Sequence, residues 1–299
     1  MRMKHLVPFL AAALLAACSH PVAPPQPRAE LASPDGTLRM EFSLDEAGTP
    51  FYSLSRQGTA VLLPSRLGFA LRGTVKAEQL AADNVGNIIK SDAVPGIAFD
   101  CGFELAGTDT DSFDEVWEPV WGEESRIRNH YNELLVHLRQ PDSGRLLDIR
   151  FRLFDDGLGF RYEFPGGQSL VHFVIKEELT EFAMADDCTA WWIPGDYDTQ
   201  EYEYNRTLLS EVAEHFQDKM RGNSSQTPFS TSGVQTSLQM KTSDGLYVNI
   251  HEAALAATCT VRQGVLHGAV RLPFQPSASG VSQARSECFS PSTSRCMQG

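Results

Sequence analysis

The chain has 299 residues, 42% hydrophobic and 21% charged, which is enough apolar material for one large core. Its 38 acidic side chains against 25 basic ones give a formal net charge of −13. That balance excludes nucleic acid and anionic lipid headgroups as partners, because both require clustered Lys and Arg.

Residues 1–18 read as a lipoprotein signal peptide. Arg2 and Lys4 form a basic start, Leu6 to Leu15 an apolar stretch, and Leu15-Ala16-Ala17-Cys18 a lipobox. Cleavage before Cys18 and acylation of its thiol would leave membrane attachment by lipid alone. The apolar stretch is too short to span a bilayer. The expected location is the periplasm or the outer membrane, and Ser19 carries no acidic retention signal. Residues 19–30, with Pro21, Pro24, Pro25 and Pro27, read as an extended tether.

From Leu31 to Leu255 the pattern is strands and glycine turns. Ser33-Pro34-Asp35-Gly36 precedes a strand at Leu38 to Phe42, and Glu46-Ala47-Gly48 precedes one at Pro50 to Leu54. The plainest hairpin is Leu146 to Phe164: Ile149, Phe151 and Leu153 alternate with Arg150 and Arg152, and Phe160, Tyr162 and Phe164 with Arg161 and Glu163. Between them Asp155-Asp156-Gly157 turns, with Gly157 expected to supply a positive φ. Leu209, Val212, Phe216 and Met220 predict a helix over Leu208 to Met220, and Ser243-Asp244-Gly245 turns into a strand at Leu246 to Ile250. This alternation predicts an all-β fold, an antiparallel sandwich.

Residues 256–299 break the pattern, with four Arg, no Lys, one Glu, no Asp, no Trp or Tyr, and three of the six Cys. Two readings stand, a disordered tail or a change of coding frame near Leu255. Of the other cysteines, Cys101 and Cys188 are read as free thiols, with a bridge between them as the alternative.

Ala190 to Asn205, AWWIPGDYDTQEYEYN, crowds five large aromatics and four carboxylates into one stretch. Aromatic faces beside carboxylates suit sugars and hard cations. A buried Trp pair followed by a solvated acidic strand edge has the same composition, and composition alone favours it. The acidic pairs Glu123-Glu124, Asp155-Asp156, Glu177-Glu178 and Asp186-Asp187 are not catalytic dyads, because neighbours on a strand point apart and those in turns are solvated. His251-Glu252 opens like a zincin helix, but Leu255 stands where the second histidine belongs. The polar runs Trp117 to Gly122 and Asn129 to Glu133 read as satisfied loop and cap groups before they read as a ligand site.

Taken in order, SPDG from Ser33, PSRLGFAL from Pro64, WEPVWGEESRIRNHYNEL from Trp117, FRLFDDGLGFRYEFP from Phe151, FVIKEE from Phe173, WWIPGDYDTQEYEYN from Trp191, LSEV from Leu209, NSSQTPFS from Asn223 and DGLYVNIHEAAL from Asp244 resemble glycoside hydrolase family 97. The resemblance covers most of residues 31–255. It implies the family's N-terminal β-supersandwich, similar to galactose mutarotase, which in the family packs on a (β/α)₈ barrel carrying the catalytic carboxylates; that barrel is not in this chain. It further implies Glu201 as a Ca²⁺ ligand, and Asn223 and Ser224 near an α-linked oligosaccharide substrate of an α-glucosidase or α-galactosidase. One ligand cannot hold the ion, so hydrolysis by this chain alone is not expected. The rival expectations are a carbohydrate-binding lipoprotein, with Trp191, Trp192 and the tyrosines as a stacking platform, and a purely structural surface lipoprotein.

Overall fold

The structure, a computed structural model, describes residues 28–71, 97–166, 175–196, 199–220, 233–252 and 268–271. Strands β1 (Arg28–Ala32), β2 (Leu38–Leu44), β3 (Pro50–Arg56) and β4 (Thr59–Arg66) form an antiparallel meander in chain order. In β2, Leu38, Met40, Phe42 and Leu44 are buried and alternate with more exposed residues, the period-2 signature of a sheet with one wet face. At the β2–β3 turn, Gly48 has φ +71°, and a Cβ there would meet the backbone of Phe103 at 2.5 Å. Only glycine fits that turn.

A small second sheet joins β5 (Phe69–Leu71), β6 (Ile97–Phe99) and β11 (Ile175–Glu178) in the order β11-β5-β6. The third sheet has nine strands. Its members are β7 (Glu104–Trp117), β8 (Ile127–Gln140), β9 (Arg145–Phe154), β10 (Gly157–Glu163), β12 (Thr189–Trp192), β13 (Asn205–Leu208), β14 (Leu238–Lys241), β15 (Tyr247–Glu252) and β16 (Gly268–Arg271). They run in the order β13-β12-β14-β15-β16-β10-β9-β8-β7, with antiparallel pairing throughout.

The expected hairpin is present as β9 and β10, with Phe154 opposite Gly157. Its turn differs from expectation. The loop is Asp155-Asp156 alone, and Gly157 already sits in β10 without a positive φ. Two residues close the reversal, so the glycine's freedom is not used. Instead the turn is tied to its neighbour, where the Asp35 amide donates to Asp155 Oδ1 at 2.8 Å.

The two small sheets lie over the large one. Phe42 and Tyr52 from the meander meet Phe151 and Phe160 from β9 and β10 at ring separations of 5.3–6.3 Å, and Phe69 meets Tyr162 at 4.4 Å. Burying each such ring contributes about 1.5–3 kcal/mol. The polar tips are satisfied: Tyr52 donates to the Glu181 carbonyl at 2.8 Å, and Tyr162 accepts from the Gly68 amide at 3.2 Å. Among the described residues the helix expected near Leu208 to Met220 is a 3₁₀ turn, Leu209–Glu211, leading into α1 (Val212–Lys219). Val212, Phe216 and Met220 are buried as their spacing implied. The described residues therefore form an all-β antiparallel sandwich, and no (β/α)₈ barrel occurs among them.

Candidate functional site

The site is built on β12 and the loop that follows it. Register sets which of the paired tryptophans is available. Ala190 and Trp192 face the sandwich core at 0% exposure, so Trp191 between them points to the opposite face. Trp192 anchors itself by donating from Nε1 to Thr207 Oγ1 at 3.0 Å. This corrects the expectation that both tryptophans form a stacking platform: Trp192 is core, and Trp191 alone is left for a ligand.

Across β13, β12, β14 and β15, the register aligns Arg206, Trp191, Gln239 and Asn249 in one row on that outer face. The matching inner row is Thr207, Ala190, Met240 and Val248, of which the last three are fully buried. One residue of strand slip would exchange the two rows, so core burial specifies the position of Trp191.

The following loop, which carries Glu201, is held by its neighbours. The Gly195 amide donates to the Gly233 carbonyl at 2.7 Å, and the Gln235 amide to the Ile193 carbonyl at 3.1 Å. Gln235 Nε2 donates to the carbonyls of Asp196 at 2.9 Å and Thr199 at 3.2 Å. Tyr202 donates its hydroxyl to Asp196 Oδ2 at 2.7 Å, burying that carboxylate to 5% exposure. Asn205 Nδ2 donates to the Glu203 carbonyl at 3.0 Å. Glu201 is exposed between these ties, its amide donating to Thr199 Oγ1 at 3.0 Å. A carboxylate on so constrained a loop loses little freedom when it binds a partner.

Calcium takes six to eight oxygens. Among the described residues no group of three or more His, Cys, Asp or Glu is gathered for a metal. These residues do not make a calcium site by themselves, and Glu201 offers one carboxylate. Asn223, Ser224 and Cys18 lie outside the described residues.

The acidic pair Asp186-Asp187 holds a structural post. Asp187 accepts from the Ser210 amide and hydroxyl at 3.0 and 2.8 Å, at the start of the helical turn, and Asp186 accepts from the Ser243 amide. Glu123 and Glu124 are exposed on the β7–β8 connection. Cys101 and Cys188 are free thiols. Burial, with Asp186, Asp187 and Asp244 nearby, pushes the Cys188 thiol up to about 11, so it is no nucleophile at neutral pH.

Sequence reading missed three groups. One is the Asp196–Tyr202–Gln235 clamp, whose third member lies on a distant segment. Another is the ion cluster on β8, β9 and β10, where Glu133 accepts from Arg150 and Arg152, and Glu163 from Arg150 and Arg161. Alternation marked Arg150, Arg152, Arg161 and Glu163 as outward-facing without showing that they meet, and Glu133 was read only as part of a polar run. The third is the Trp191–Asn249 row, which only strand register reveals.

The sandwich and this loop have known counterparts. The model of the glycosyl-hydrolase 97 N-terminal family matches residues 31–276, beginning where the folded part was expected to begin and ending beyond Leu255. A retaining alpha-galactosidase of Bacteroides thetaiotaomicron is 26% identical over 195 residues, covering 61% of this chain and 24% of that protein. A glycoside hydrolase family 97 enzyme from Pseudoalteromonas sp. strain K8, solved with panose and with acarbose, superposes with a TM-score of 0.57 at 30% identity, over 81% of this chain and 31% of that one. A beta-arabinopyranosidase at 20% identity and a TM-score of 0.57 shares the fold. The chain thus spans about a quarter to a third of the length of these relatives. With the match running across most of the strands described above, the chain belongs to the glycosyl-hydrolase 97 N-terminal family.

Proposed function

We propose that this chain is the sandwich domain of a calcium-dependent, exo-acting α-glycosidase of glycan utilisation, an α-glucosidase or α-galactosidase. In this reading it contributes Glu201 as one metal ligand, and Asn223 and Ser224 on the substrate side, and it does not hydrolyse glycosides alone. Lipid on Cys18 anchors it at the periplasmic or outer-membrane surface. The observation that carries the reading is the tied-down segment after β12, on which Glu201 stands exposed within the stretch matched by the family. What this chain's residues do is hold that carboxylate in place: Asp196, Tyr202 and Gln235 fix the loop, and Asn205 fixes its return to the sheet. Bound calcium would supply positive charge beside the scissile bond.

The test uses the enzyme in which this domain is joined to its catalytic domain. Glu201→Ala is expected to raise the calcium needed for half-maximal hydrolysis by at least about tenfold, as loss of a ligand or its support does elsewhere. Unchanged calcium dependence removes Glu201 from the metal site. No hydrolysis of p-nitrophenyl α-glucoside or α-galactoside removes the glycosidase reading. Palmitate labelling in the producing bacterium, lost in Cys18→Ala, reports the anchor.

A further inference from the structure

On the outer face of β12, β14 and β15 lies a cleft of about 310 Å³ lined by Trp191, Tyr204, Ser237, Gln239, Tyr247 and Asn249. We propose that this cleft binds a neutral pyranose unit, with Trp191 and Tyr247 as its floor. The inference rests on the cleft itself and not on the calcium or glycosidase reading.

Three observations select this ligand chemistry. The indole of Trp191 and the ring of Tyr247 are nearly parallel, 25° apart, with centroids 6.3 Å apart. That separation is too large for a face-to-face stack, so the rings are offset and together form a wide apolar surface. Tyr247 is 38% exposed and Tyr204 67% exposed, so both rings keep surface free beside Trp191. The C–H face of a sugar ring matches such a surface.

The rest of the lining is uncharged and polar: two carboxamides and the hydroxyls of serine and tyrosine. Asn249 Oδ1 is buried with no hydrogen-bond partner. An unpaired buried acceptor is costly, and a ligand hydroxyl, or a water that it orders, supplies the missing donor. Gln239, directly across from both Trp191 and Asn249, places a second carboxamide beside it.

Charge points the same way. The two nearby cations are already engaged with the rings, Arg206 lying 5.6 Å from the Trp191 ring centre and Lys241 5.0 Å from that of Tyr247. With a chain charge of −13, an anionic ligand is disfavoured. The volume sits at the lower end of the roughly 300–1,000 Å³ of small-molecule sites, which suits one or two sugar rings and not a long chain.

The test is calorimetric titration of the 299-residue chain with maltose and melibiose, with indole as an aromatic comparator. Saturable sugar binding with a dissociation constant on the order of 1 mM is expected. Trp191→Ala should abolish it, and Asn249→Ala should weaken it by about fivefold, one lost hydrogen bond. Trp121→Ala removes an exposed tryptophan elsewhere and should leave binding unchanged, with circular dichroism confirming the fold of each variant. No sugar binding by the folded chain, binding indifferent to Trp191 and Asn249, or binding of indole in place of sugar would each overturn the proposal. Unchanged calcium dependence in Glu201→Ala, which would remove the metal reading, leaves this result untouched.

Discussion

The outer face of the nine-stranded sheet is furnished in two ways. Over β8, β9 and β10 it carries Glu133, Arg150, Arg152, Arg161 and Glu163, and all four carboxylate oxygens accept from a guanidinium. Over β13, β12, β14 and β15 it carries Arg206, Trp191, Gln239 and Asn249, beside the exposed ring of Tyr247, and one carboxamide oxygen there has no donor. Both regions arise from the same alternation above the same core. The first is closed on itself and offers a ligand nothing, whereas the second is stable as a sheet and incomplete as a surface. Outward position alone is therefore not a sign of function; unsatisfied chemistry at an outward position is the more telling sign.

The largest expected effect separates the adjacent tryptophans. Trp192→Ala empties a fully buried site and removes a hydrogen-bond donor, and it should cost about 3–5 kcal/mol by urea unfolding. Trp191→Ala, on the open face, should cost less than about 1 kcal/mol. Equal costs would mean that the outer face is packed like the core, and the contrast between the two regions would fail.

Next comes the closed region. Arg150→Ala strips one partner from both Glu133 and Glu163 while Arg152 and Arg161 remain. The loss should be about 2–3 kcal/mol, below the roughly 3–5 kcal/mol of a fully buried pair, because the cluster is partly wet. Burial pushes Glu163 up, but Arg150 and Arg161 outweigh it and hold its carboxyl below the usual glutamate range. The native pKa is the lower one, so this stability is present above the unfolded pKa and is lost as pH falls through the native value. An acid unfolding profile unchanged in Glu163→Gln would remove the cluster's role.

In the open region the sign should reverse. Asn249→Val deletes an acceptor that makes no bond and adds a residue suited to a strand. Stability should stay within about 0.5 kcal/mol of the parent or rise. A loss comparable to that of Arg150→Ala would show that Asn249 supports the fold instead of awaiting a ligand.

How much of this was legible in the sequence follows from the range of the interactions. The β9–β10 hairpin was readable because its two strands adjoin and each shows period-2 alternation; its loop was misread because a glycine next to two aspartates looks like part of the turn. The sheet order was not readable, since β16 inserts between β15 and β10, far away in the chain. The Trp191-Trp192 pair shows the limit most clearly. Either residue could have been the buried one, and the choice is made by pairing with Arg206 and Gln239 on other strands. Glu201 was singled out only by its motif context, and the clamp that fixes its loop depends on Gln235, which no local pattern marks.

The smallest expected effect lies at the far edge of the same sheet. His137 on β8 places Nδ1 2.9 Å from Asp148 on β9 and Nε2 3.0 Å from Asp109 on the edge strand β7. Both ring nitrogens can donate only in the imidazolium, and the bonds to Asp109 and Asp148 raise its pKa above the ordinary 6.5. The native pKa is the higher one, so the stabilisation is fully present below the unfolded value and is lost as pH rises through the native value. The difference in melting temperature between the parent and His137→Gln should therefore shrink from pH 6 towards alkaline pH, and salt should shrink it further. Asp148 is 15% exposed and Asp109 76%, so Asp148→Asn should reduce the effect more than Asp109→Asn. Because the bond to Asp109 is the one that reaches β7, amide exchange in that strand should quicken as His137 deprotonates, while β9 and β10 stay protected. Uniform quickening across all three strands would assign the pH dependence to the sheet as a whole and not to its edge.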